Sequence, residues 1–534
     1  MARVAFVKLF TGLNLGVSQL SGELQLAGHQ SLMIFFKDYR VVPQSEVSKY
    51  ETPELCGTWV AGRGRLMNCN AFTPITEREY QLLIETLRDF RPDLIGFSLP
   101  TVPMREVAAV TQRLKREFDV PIIWGGAGPT LEPEKCLTWA DLVCVGEGEE
   151  LIVELAEAID AGRELTSLRG LAYKRGDEVV RTPARPIGNL DDIAFPDFAE
   201  SRTVHINDDR LRRNLYMPNL GRQYHIMTQR GCPFSCSFCI ESVYQDMWGK
   251  KDSLRRRSVD LVIEELVQAK RRHNIGAVMF WDDVFTTNPR WLREFAPRYK
   301  AEVGLPFWCY TYPRTTRKDD LLILKDAGLR SVGMGIQSGS QQVLAEYNRP
   351  VATRRAIDAA RDVIDCGLTG TFELITRGEF ETEDTCRETF EFLLDFPAEF
   401  RTVGFYPMIK FPTYGYTRKV ADQAQRSPLS DADYEYWHRA YLLTRTNWPR
   451  RFVRAVANNP LVRRFPTVMN PLLPKDLPFF YFEHHAIDLE AATIGTSEEA
   501  TAQPASPPEP DYVPLPAAHT ANRSNAPAPG VMID

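Results

Sequence analysis

Three cysteines lie close together in the segment RGCPFSCSFCIE, residues 230–241. Cys232, Cys236 and Cys239 follow the pattern C-x3-C-x2-C. Three thiolates on one loop can bind three irons of a cubane cluster and leave the fourth iron open to another ligand. Structural zinc normally takes four protein ligands, and the next cysteine along the chain is Cys309. The spacing therefore favours a [4Fe-4S] cluster with one open iron over zinc.

Two further interpretations of these thiols stay open. His225 could complete a zinc site, although a histidine inside a predicted strand is more often packed or exposed than bound to a metal. Cys236 and Cys239 could also form a thioredoxin-like dithiol, but that chemistry gives Cys232 no role.

The composition indicates a multidomain protein. The chain has 534 residues, 44% of them hydrophobic, and a net charge of −6 with both signs mixed, which does not indicate a nucleic-acid partner. No window reaches ~18 uninterrupted apolar residues, so no transmembrane segment is expected. Lys8 interrupts the apolar N-terminal run, which predicts a strand rather than a signal peptide. We expect a cytoplasmic protein whose ten cysteines are reduced and, where clustered, bind metal or do redox chemistry.

The elements that position these thiols begin with residues 1–160, where short apolar runs alternate with amphipathic stretches. This α/β pattern predicts a Rossmann-like, doubly wound parallel sheet. The predicted strands are Val4–Leu9, Leu32–Phe36, Leu94–Leu99, Pro121–Trp124 and Leu142–Val145, and the predicted helices are residues 17–28, 76–90, 103–117 and 149–161.

Glycines follow two of these strands. Gly125 and Gly126 follow the fourth predicted strand, and Gly146, Glu147 and Gly148 follow the fifth. Ligands of parallel sheets bind at the carboxyl ends of strands, and glycine permits close backbone approach. Tight strand-to-helix turns are the alternative, since no GxGxxG fingerprint is present. The pattern favours a ligand-binding domain without naming the ligand.

A second run of strands and helices follows. Residues 161–220 carry prolines among charges and are interpreted as a connector. Residues 221–430 then repeat strand and helix six times, which predicts a partial, TIM-like (β/α)6 barrel. Its predicted strands are Tyr224–Gln229, Ala277–Trp281, Pro306–Tyr312, Ser331–Gln337, Thr369–Ile375 and Val403–Ile409. The cysteine segment follows the first of them, at the face where barrel loops build active sites.

The C-terminal part divides in two. Residues 431–490 combine aromatic and basic side chains at helical spacing, which predicts a helical extension packed on the barrel. A lid, or a surface for an apolar substrate, is the alternative. Residues 491–534 are dominated by Ala, Pro, Ser and Thr, which predicts a disordered tail.

Several stretches together resemble the cobalamin-binding subfamily of the radical S-adenosylmethionine (radical SAM) superfamily. The resemblance covers roughly residues 1–410. Besides the cysteine segment with its Arg230-Gly231 lead-in, it rests on GGAGPTLEPE (125–134), VGEGEE (145–150), FWDDVFTTN (280–288) and LKDAGLRSVGMGIQSGSQQVL (324–344). The cysteine pattern is the most specific of these.

The resemblance implies three cofactors. The three cysteines would ligate a [4Fe-4S] cluster whose open iron chelates S-adenosylmethionine (SAM), and reductive cleavage of SAM would release a 5′-deoxyadenosyl radical. Cobalamin would bind the N-terminal domain, where the glycine stretches lie. An electron donor such as flavodoxin or ferredoxin would be a partner.

The resemblance also implies residues that contact SAM. Phe238 and Ile240 would pack on the adenine, Asp282 and Asp283 would lie near the methionyl amino group, Gln337 and Ser338 near the ribose, and Arg314 near the carboxylate. The ordinary alternative is a helix cap for Asp282 and Asp283 and a turn for Gln337 and Ser338. For Arg314 it is a solvated side chain.

Two features depart from the subfamily. The string Asp-x-His-x-x-Gly, whose histidine binds cobalt from below, is absent, and His29 is interpreted as a surface residue. The fifth barrel strand runs into FELITRGEFETEDT (372–385), which keeps Gly378 and Glu379 but lacks the usual proline. The lower face of cobalamin would therefore lack a histidine, and one wall of the barrel mouth would differ.

The leading functional hypothesis is methylation of an unactivated carbon, with a substrate radical made by the cluster and SAM and a methyl group delivered by cobalamin. A cyclase, rearrangement or oxidation enzyme without methyl transfer is the alternative with the same architecture. A non-catalytic cobalamin- or metal-binding protein is the alternative of another class. A small molecule, a lipid and a peptide are all open as substrates.

Overall fold

The computed structural model describes residues 1–11, 15–43, 48–49, 58–61, 65–100, 104–213, 222–424 and 426–474. The predicted disordered tail at 491–534 and the end of the predicted extension lie outside the described residues. No helix within the described ranges is long and apolar enough to cross a membrane.

The N-terminal half is built on a nine-stranded sheet with a small three-stranded sheet beside it. Its strands are β1 (Arg3–Thr11), β2 (Gln30–Asp38), β3 (Arg40–Pro43), β4 (Thr58–Ala61), β5 (Arg65–Ala71), β6 (Leu94–Ser98), β7 (Ile122–Gly125), β8 (Leu142–Cys144), β9 (Leu171–Arg175), β10 (Glu178–Arg181), β11 (Thr203–Asn207) and β12 (Arg210–Arg213). Its helices are α1 (Leu15–Leu26), α2 (Glu77–Phe90), α3 (Met104–Leu114), α4 (Ala127–Leu131), α5 (Pro133–Cys136) and α6 (Glu149–Asp160).

The centre of the large sheet confirms the predicted doubly wound fold. Strands β2-β1-β6-β7-β8 are adjacent in that order and all parallel, which is the flavodoxin-like arrangement. Helices α1 and α6 pack on one face, and α2 and α3 pack on the other. These strands are buried on both faces, which explains their near-continuous apolar sequences.

The region expected to be a connector, 161–220, contributes to this sheet. Residues 171–213 form β9 and β10 beyond β8, and β11 and β12 beyond β2. Strands β10 and β12 are short and carry exposed or half-buried residues throughout. Outer strands such as these pack little of their surface, so their sequences lack the apolar runs that marked the central strands.

The second half holds a six-stranded, fully parallel sheet in the order β13-β16-β17-β18-β19-β20, as predicted for a partial barrel. The strands of this half are β13 (Gln223–Ile226), β14 (Gln229–Arg230), β15 (Arg255–Arg256), β16 (Ala277–Phe280), β17 (Phe307–Thr311), β18 (Leu329–Gln337), β19 (Thr369–Thr376) and β20 (Arg401–Pro407). Its helices are α7 (Ile240–Trp248), α8 (Lys250–Ser253), α9 (Val259–His273), α10 (Pro289–Arg298), α11 (Lys318–Ala327), α12 (Gln341–Glu346), α13 (Thr353–Asp365), α14 (Glu383–Asp395) and α15 (Gly415–Asp422).

The C-terminal extension packs on the barrel. It comprises α16 (Asp431–Leu443), α17 (Arg450–Ala457) and α18 (Pro460–Arg464). Tyr436, Trp437 and Tyr441 of α16 belong to the same buried core as the barrel residues Phe390 and Phe405. The described part of the extension is therefore an outer layer of the barrel.

Replacing Gly22 in α1 by alanine should destabilise the fold. An added Cβ would lie 2.2 Å from the backbone oxygen of Phe195, so α1 would have to move away from that segment. We expect a loss of about 2 kcal/mol in the free energy of unfolding, despite the better helix propensity of alanine. The control Gly188→Ala, whose Cβ meets its nearest neighbour at 3.6 Å, should stay within about 0.5 kcal/mol of the parent in urea unfolding. Equal effects of both substitutions would contradict this packing argument.

Candidate active site

A cavity of about 510 Å³ lies between the carboxyl end of the N-terminal sheet and the cysteine segment. One wall comes from the ends of β1, β6, β7 and β8 and from the start of α1. The opposite wall includes Arg230, Gly231, Ile240, Glu241 and Asp283. The cavity thus joins the two places at which the sequence predicts ligands.

The cysteine segment is held on several sides. The amide of Ser237 donates to the carbonyl of Tyr347 at 2.9 Å, and the carbonyl of Ser237 accepts from the amide of Tyr416 at 2.9 Å. The Gln245 amide group donates to the carbonyls of Cys232 at 2.7 Å and Phe234 at 3.0 Å. These bonds fix the loop backbone between α7, the end of α12 and the start of α15.

The three thiols are enclosed rather than solvated. Cys236 is buried, and Cys232 and Cys239 are half-buried. Burial, followed by smaller contributions that include the charge of Asp283, raises the pKa of Cys232 to about 12 and places the pKa of Cys239 well above its ordinary value. Thiolates at these positions need a cationic partner, which bound iron would supply.

A single metal ion fits these thiols less well than a cluster. Within the described ranges, no three His, Cys, Asp or Glu side chains converge as ligands of one ion. His225 lies inside β13, 4% exposed, with its ring 5.7 Å from that of Trp281, and does not join the cysteines. Burial lowers the pKa of His225 to about 4. A cluster in which each thiol binds a different iron fits the loop better than a single zinc ion does.

The two adjacent carboxylates at the end of β16 have different surroundings. Asp282 is fully buried and accepts hydrogen bonds from the amide and hydroxyl of Thr228 and from the amide of Gln229 at 2.9 Å. Arg256 lies 3.5 Å from its carboxylate. Asp282 therefore anchors the strand that leads into the cysteine segment. Asp283 instead lines the cavity, and its carboxylate opens into that space although protein surrounds it.

A second carboxylate faces the cavity next to the thiols. Glu241 is 6% exposed, and its Oε2 atom has no hydrogen-bond partner. Burial, and then the charge of Asp283, raises the pKa of Glu241 to about 8. Glu241 lies two positions after Cys239, and this spacing gives no sign of a role. The folded structure identifies it, because there its side chain lines the cavity near Asp283.

The predicted adenine residues lie on different sides of the loop. Ile240 lines the cavity. Phe238 packs against Tyr347, with ring centroids 5.2 Å apart, in a small apolar cluster with Phe380 and Met408.

The other three residues predicted to contact SAM lie in different surroundings. Gln337 ends β18 with a positive φ of 70°, a strained backbone for a non-glycine residue. The Ser338 hydroxyl is engaged within its turn, accepting from the amide of Ser340 at 3.1 Å. Arg314 donates to the carbonyl of Pro350 at 3.2 Å on the exposed side of the barrel mouth.

Arg349 is the guanidinium beside the cysteines. Its Nη1 lies 3.7 Å from the Sγ of Cys236, and Nη2 donates to the carbonyl of Gly335. The group also lies over the ring of Tyr312 at 4.5 Å and is 7% exposed. Sequence reasoning missed Arg349 because its distance along the chain from the cysteines gives no signal.

The glycine-rich loops form the other wall of the cavity. Gly125, Gly126, Gly146 and Gly148 line it together with Glu147. Gly126 has a φ of 103°, and a Cβ there would lie 2.4 Å from the carbonyl oxygen of Leu99. Glycine at position 126 therefore lets the chain pass close to the loop after β6. Because none of these four positions carries a side chain, this wall of the cavity leaves room for a bulky cofactor such as cobalamin.

No histidine lines this cavity in the part of the chain that the structure describes. His29 is buried rather than exposed, and its Nδ1 accepts from the amide of Ala2 at the opposite end of the strands. Lys8 does line the cavity, with its Nζ donating to the carbonyl of Ser98 at 3.1 Å. Burial lowers the pKa of Lys8 to about 8.

An ion-pair network connects the two walls. Arg230, the first residue of the cysteine segment, lies 3.3 Å from Glu147 and also pairs with Glu149. Arg255 of β15 pairs with Glu147 as well. Burial works to raise the pKa of Glu149, but the charges of Arg230 and Arg255 and the hydrogen bonds outweigh it and hold the pKa below its usual value. Glu147 is therefore engaged with the barrel.

Comparison with known proteins gives consistent matches. Residues 226–393 match the Radical SAM superfamily, and residues 69–156 match the B12 binding domain. An uncharacterized methyltransferase of Pyrococcus horikoshii is 30% identical over 58% of this chain and 66% of its own length. The anaerobic magnesium-protoporphyrin IX monomethyl ester cyclase of Cereibacter sphaeroides is 28% identical over 61% of this chain and 53% of its own length. The chain thus spans between about half and two thirds of these curated relatives.

A solved structure shares the fold. The radical SAM methyltransferase TsrM from Kitasatospora setae, determined with tryptophan and a SAM analogue, aligns with a TM-score of 0.59 at 19% identity, over 79% of this chain and 76% of that one. The two matched domains imply a [4Fe-4S] cluster, SAM and cobalamin as cofactors.

The two aspartates should respond oppositely to replacement by asparagine. Asp282→Asn leaves buried Arg256 without its carboxylate, and we expect a loss of about 3 kcal/mol in the free energy of unfolding. Burial, and then the charge of Asp282, raises the pKa of Asp283 to about 7, so ionised Asp283 destabilises the cofactor-free fold. That cost begins as pH rises above the unfolded pKa of about 3.9 and is complete above pH 7.

Thermal unfolding of cofactor-free protein at pH 4 and pH 8 tests this contrast. Asp283→Asn should match the parent at pH 4 and exceed its stability at pH 8. Destabilisation of similar size by both substitutions at both pH values would show that Asp283 is a structural carboxylate like Asp282.

Removing Arg230 should weaken the connection between the two walls. Arg230→Ala leaves Glu147 and Glu149 partly buried with fewer counter-charges, and we expect a cost of about 2 kcal/mol at pH 8. Because the folded pKa of Glu149 is depressed, its stabilising contribution is present above the unfolded pKa of about 4.3 and is lost as the pH falls through the folded pKa. The cost should therefore begin to shrink below about pH 4.3 and be smaller at about pH 3 than at pH 8.

Urea unfolding at both pH values measures this effect. The control Arg298→Ala removes exposed pairs with Asp260 and Glu302 and should cost less than about 0.5 kcal/mol. A pH-independent cost of Arg230→Ala would contradict an electrostatic connection.

Proposed function

We propose that this chain, which belongs to the radical SAM superfamily and to its branch with a B12 binding domain, is a cobalamin-dependent radical SAM methyltransferase acting on a small molecule. The observation that carries the proposal is the shared cavity, lined by the glycine loops of the N-terminal sheet and by Arg230, Gly231, Ile240 and Glu241, which flank the three thiols in the chain. Cofactors on opposite walls of one cavity can act on one substrate between them.

The cofactors supply the reactive chemistry: the cluster and SAM provide hydrogen abstraction by one-electron chemistry, and cobalamin provides methyl transfer. The protein binds the cofactors and the substrate and orients them. In the proposal Cys232, Cys236 and Cys239 hold the cluster, and Arg349 contributes positive charge beside Cys236. A nearby guanidinium favours a thiolate-rich, anionic centre.

The carboxylates of Asp283 and Glu241 are proposed to bind the amino group of SAM. Both line the cavity beside the cysteine segment, and an ammonium group would offset the cost of their shared burial. Ile240, which lines the cavity, is proposed to pack on the adenine. Gln337, the last residue of β18, is proposed to contact the ribose, as the family resemblance implies. Arg314 and Ser338 are already bonded elsewhere and are weaker candidates for direct contact.

Cobalamin is proposed to lie against Gly125, Gly126, Gly146 and Gly148. The absence of a cavity histidine among the described residues favours binding without a histidine below the cobalt. Turnover would require an external electron donor such as flavodoxin or ferredoxin.

A second candidate function keeps the radical chemistry without methyl transfer. The similarity to anaerobic magnesium-protoporphyrin IX monomethyl ester cyclases, which extends over 61% of this chain in one case, favours it. The same cavity, thiols and carboxylates would serve a cyclisation or oxidation.

Product analysis distinguishes the two candidates. Anaerobic protein with cobalamin, SAM, a reductant and extracts of the source cell should yield 5′-deoxyadenosine together with S-adenosylhomocysteine, because one SAM is cleaved reductively and another donates its methyl group. 5′-Deoxyadenosine alone would support the second candidate. Neither product would contradict both and favour a non-catalytic binding protein.

Replacing all three cysteines should abolish the cluster. The Cys232→Ala, Cys236→Ala, Cys239→Ala variant should lose bound iron, its brown absorbance and 5′-deoxyadenosine formation. The control Cys366→Ala removes a buried thiol at the end of α13 that donates to the carbonyl of Lys318, and it should keep all three properties. Iron retained by the triple variant would contradict the assignment of the ligands.

A further inference from the structure

The outer face of the C-terminal extension carries two copies of one short pattern. WPRRF at 448–452 and LVRRF at 461–465 each place an apolar residue, two arginines and a phenylalanine at the same spacing. The first copy overlaps the start of α17, and the second overlaps α18. Both copies lie outside the regions matched to known domains.

The first arginine of each copy faces the barrel. Arg450 pairs with Asp395 at 2.7 Å, at the end of α14. Arg463 pairs with Glu383 at 2.7 Å, at the start of the same helix, and with Asp433 at 2.5 Å. Since α14 has 13 residues, the two anchor points lie about 18 Å apart along its axis. The two copies are therefore fixed at opposite ends of one helix.

The large apolar side chains at the two ends of each copy, and the second arginine, face outward, whereas Val462 of the second copy is buried in the barrel core. Trp448 is 47% and Phe452 38% exposed in the first copy, and Leu461 is 69% and Phe465 54% exposed in the second. The outward arginines, Arg451 and Arg464, are exposed, and the described residues offer neither of them a carboxylate partner. Most of the large exposed apolar side chains of the described structure lie in this short region.

We propose that these two copies form a docking surface for an anionic lipid bilayer. Exposed tryptophan and phenylalanine insert into the interfacial region of a bilayer, and arginines beside them attract anionic headgroups. Residues 436–475 contain no Asp or Glu, so the segment itself carries no charge that would repel such a surface. Two contact points about 18 Å apart on one helix layer suit a flat partner.

The proposal does not depend on the proposed function. It uses neither the cavity nor the cysteine segment, and its test needs no turnover. Binding to a bilayer would be peripheral, in keeping with the lack of a membrane-crossing helix among the described residues.

Flotation of the full-length protein with phospholipid vesicles tests the proposal. We expect binding to vesicles of phosphatidylcholine with 30% phosphatidylglycerol, weak binding to phosphatidylcholine alone, and loss of binding as salt rises. Arg451→Ala with Arg464→Ala should weaken partitioning about fivefold for each charge removed. Phe452→Ser with Phe465→Ser should abolish binding at any salt concentration.

Matched controls separate this surface from general stickiness. Leu322→Ser on α11 removes an apolar side chain that is 47% exposed, and Arg354→Ala on α13 removes an exposed arginine. Both should bind as the parent does. Circular dichroism should be unchanged in all variants, because each replaced residue lies at the surface. Replacing Phe452 should lower the unfolding temperature only slightly, since its ring is 38% exposed and packs on that of Trp448.

Two kinds of result, from vesicle binding and from sedimentation, would overturn the proposal. The first is equal binding of parent and phenylalanine variant to anionic vesicles, or no binding by the parent at low salt. The second is concentration-dependent self-association of the parent, measured by sedimentation, that the phenylalanine variant lacks, because the surface would then be an interface between copies of this chain.

Discussion

The pairing of Glu147 and Glu149 with Arg230 and Arg255 is the constraint on which the site depends. Glu147 lies in the loop after β8 and Glu149 begins α6, and the two arginines belong to the short ribbon of β14 and β15. Partial burial strengthens the attraction, and the guanidinium groups offer several donors in a fixed plane. These ion pairs therefore set the distance between the glycine loops and the cysteine segment. The cavity is the space between these two walls.

The cysteine segment itself depends on groups that never face the cavity. Asp282 accepts from the backbone ahead of the segment, and Gln245 donates to two carbonyls of the segment. The backbone of Ser237 is bonded to two other parts of the barrel. A loop with so few regular hydrogen bonds of its own would otherwise be poorly defined. Fixing it from several elements means that the positions of the three thiols depend on the whole barrel mouth.

Much of the fold can be predicted from the sequence. Parallel strands that are buried on both faces appear as near-continuous apolar runs, and glycines mark the turns between strands and helices. The six barrel strands and the five central strands of the N-terminal sheet were located in this way. The outer strands between residues 171 and 213 were not, since exposed edge strands lack that signal. The thiols were found from spacing alone. The different surroundings of Asp282 and Asp283, and the proximity of Arg349 to Cys236, depend on tertiary packing.

Residues 171–213 add strands to the N-terminal sheet, and this affects where the protein can be divided into fragments. Strands β9 to β12 cover both outer edges of the central sheet, and β12 directly precedes the barrel. A fragment ending at residue 160 would leave β8 and β2 as bare edges with unsatisfied amides and carbonyls, a surface that invites aggregation. A division after Arg213 keeps those edges covered, so it is the natural boundary for expressing the N-terminal half alone.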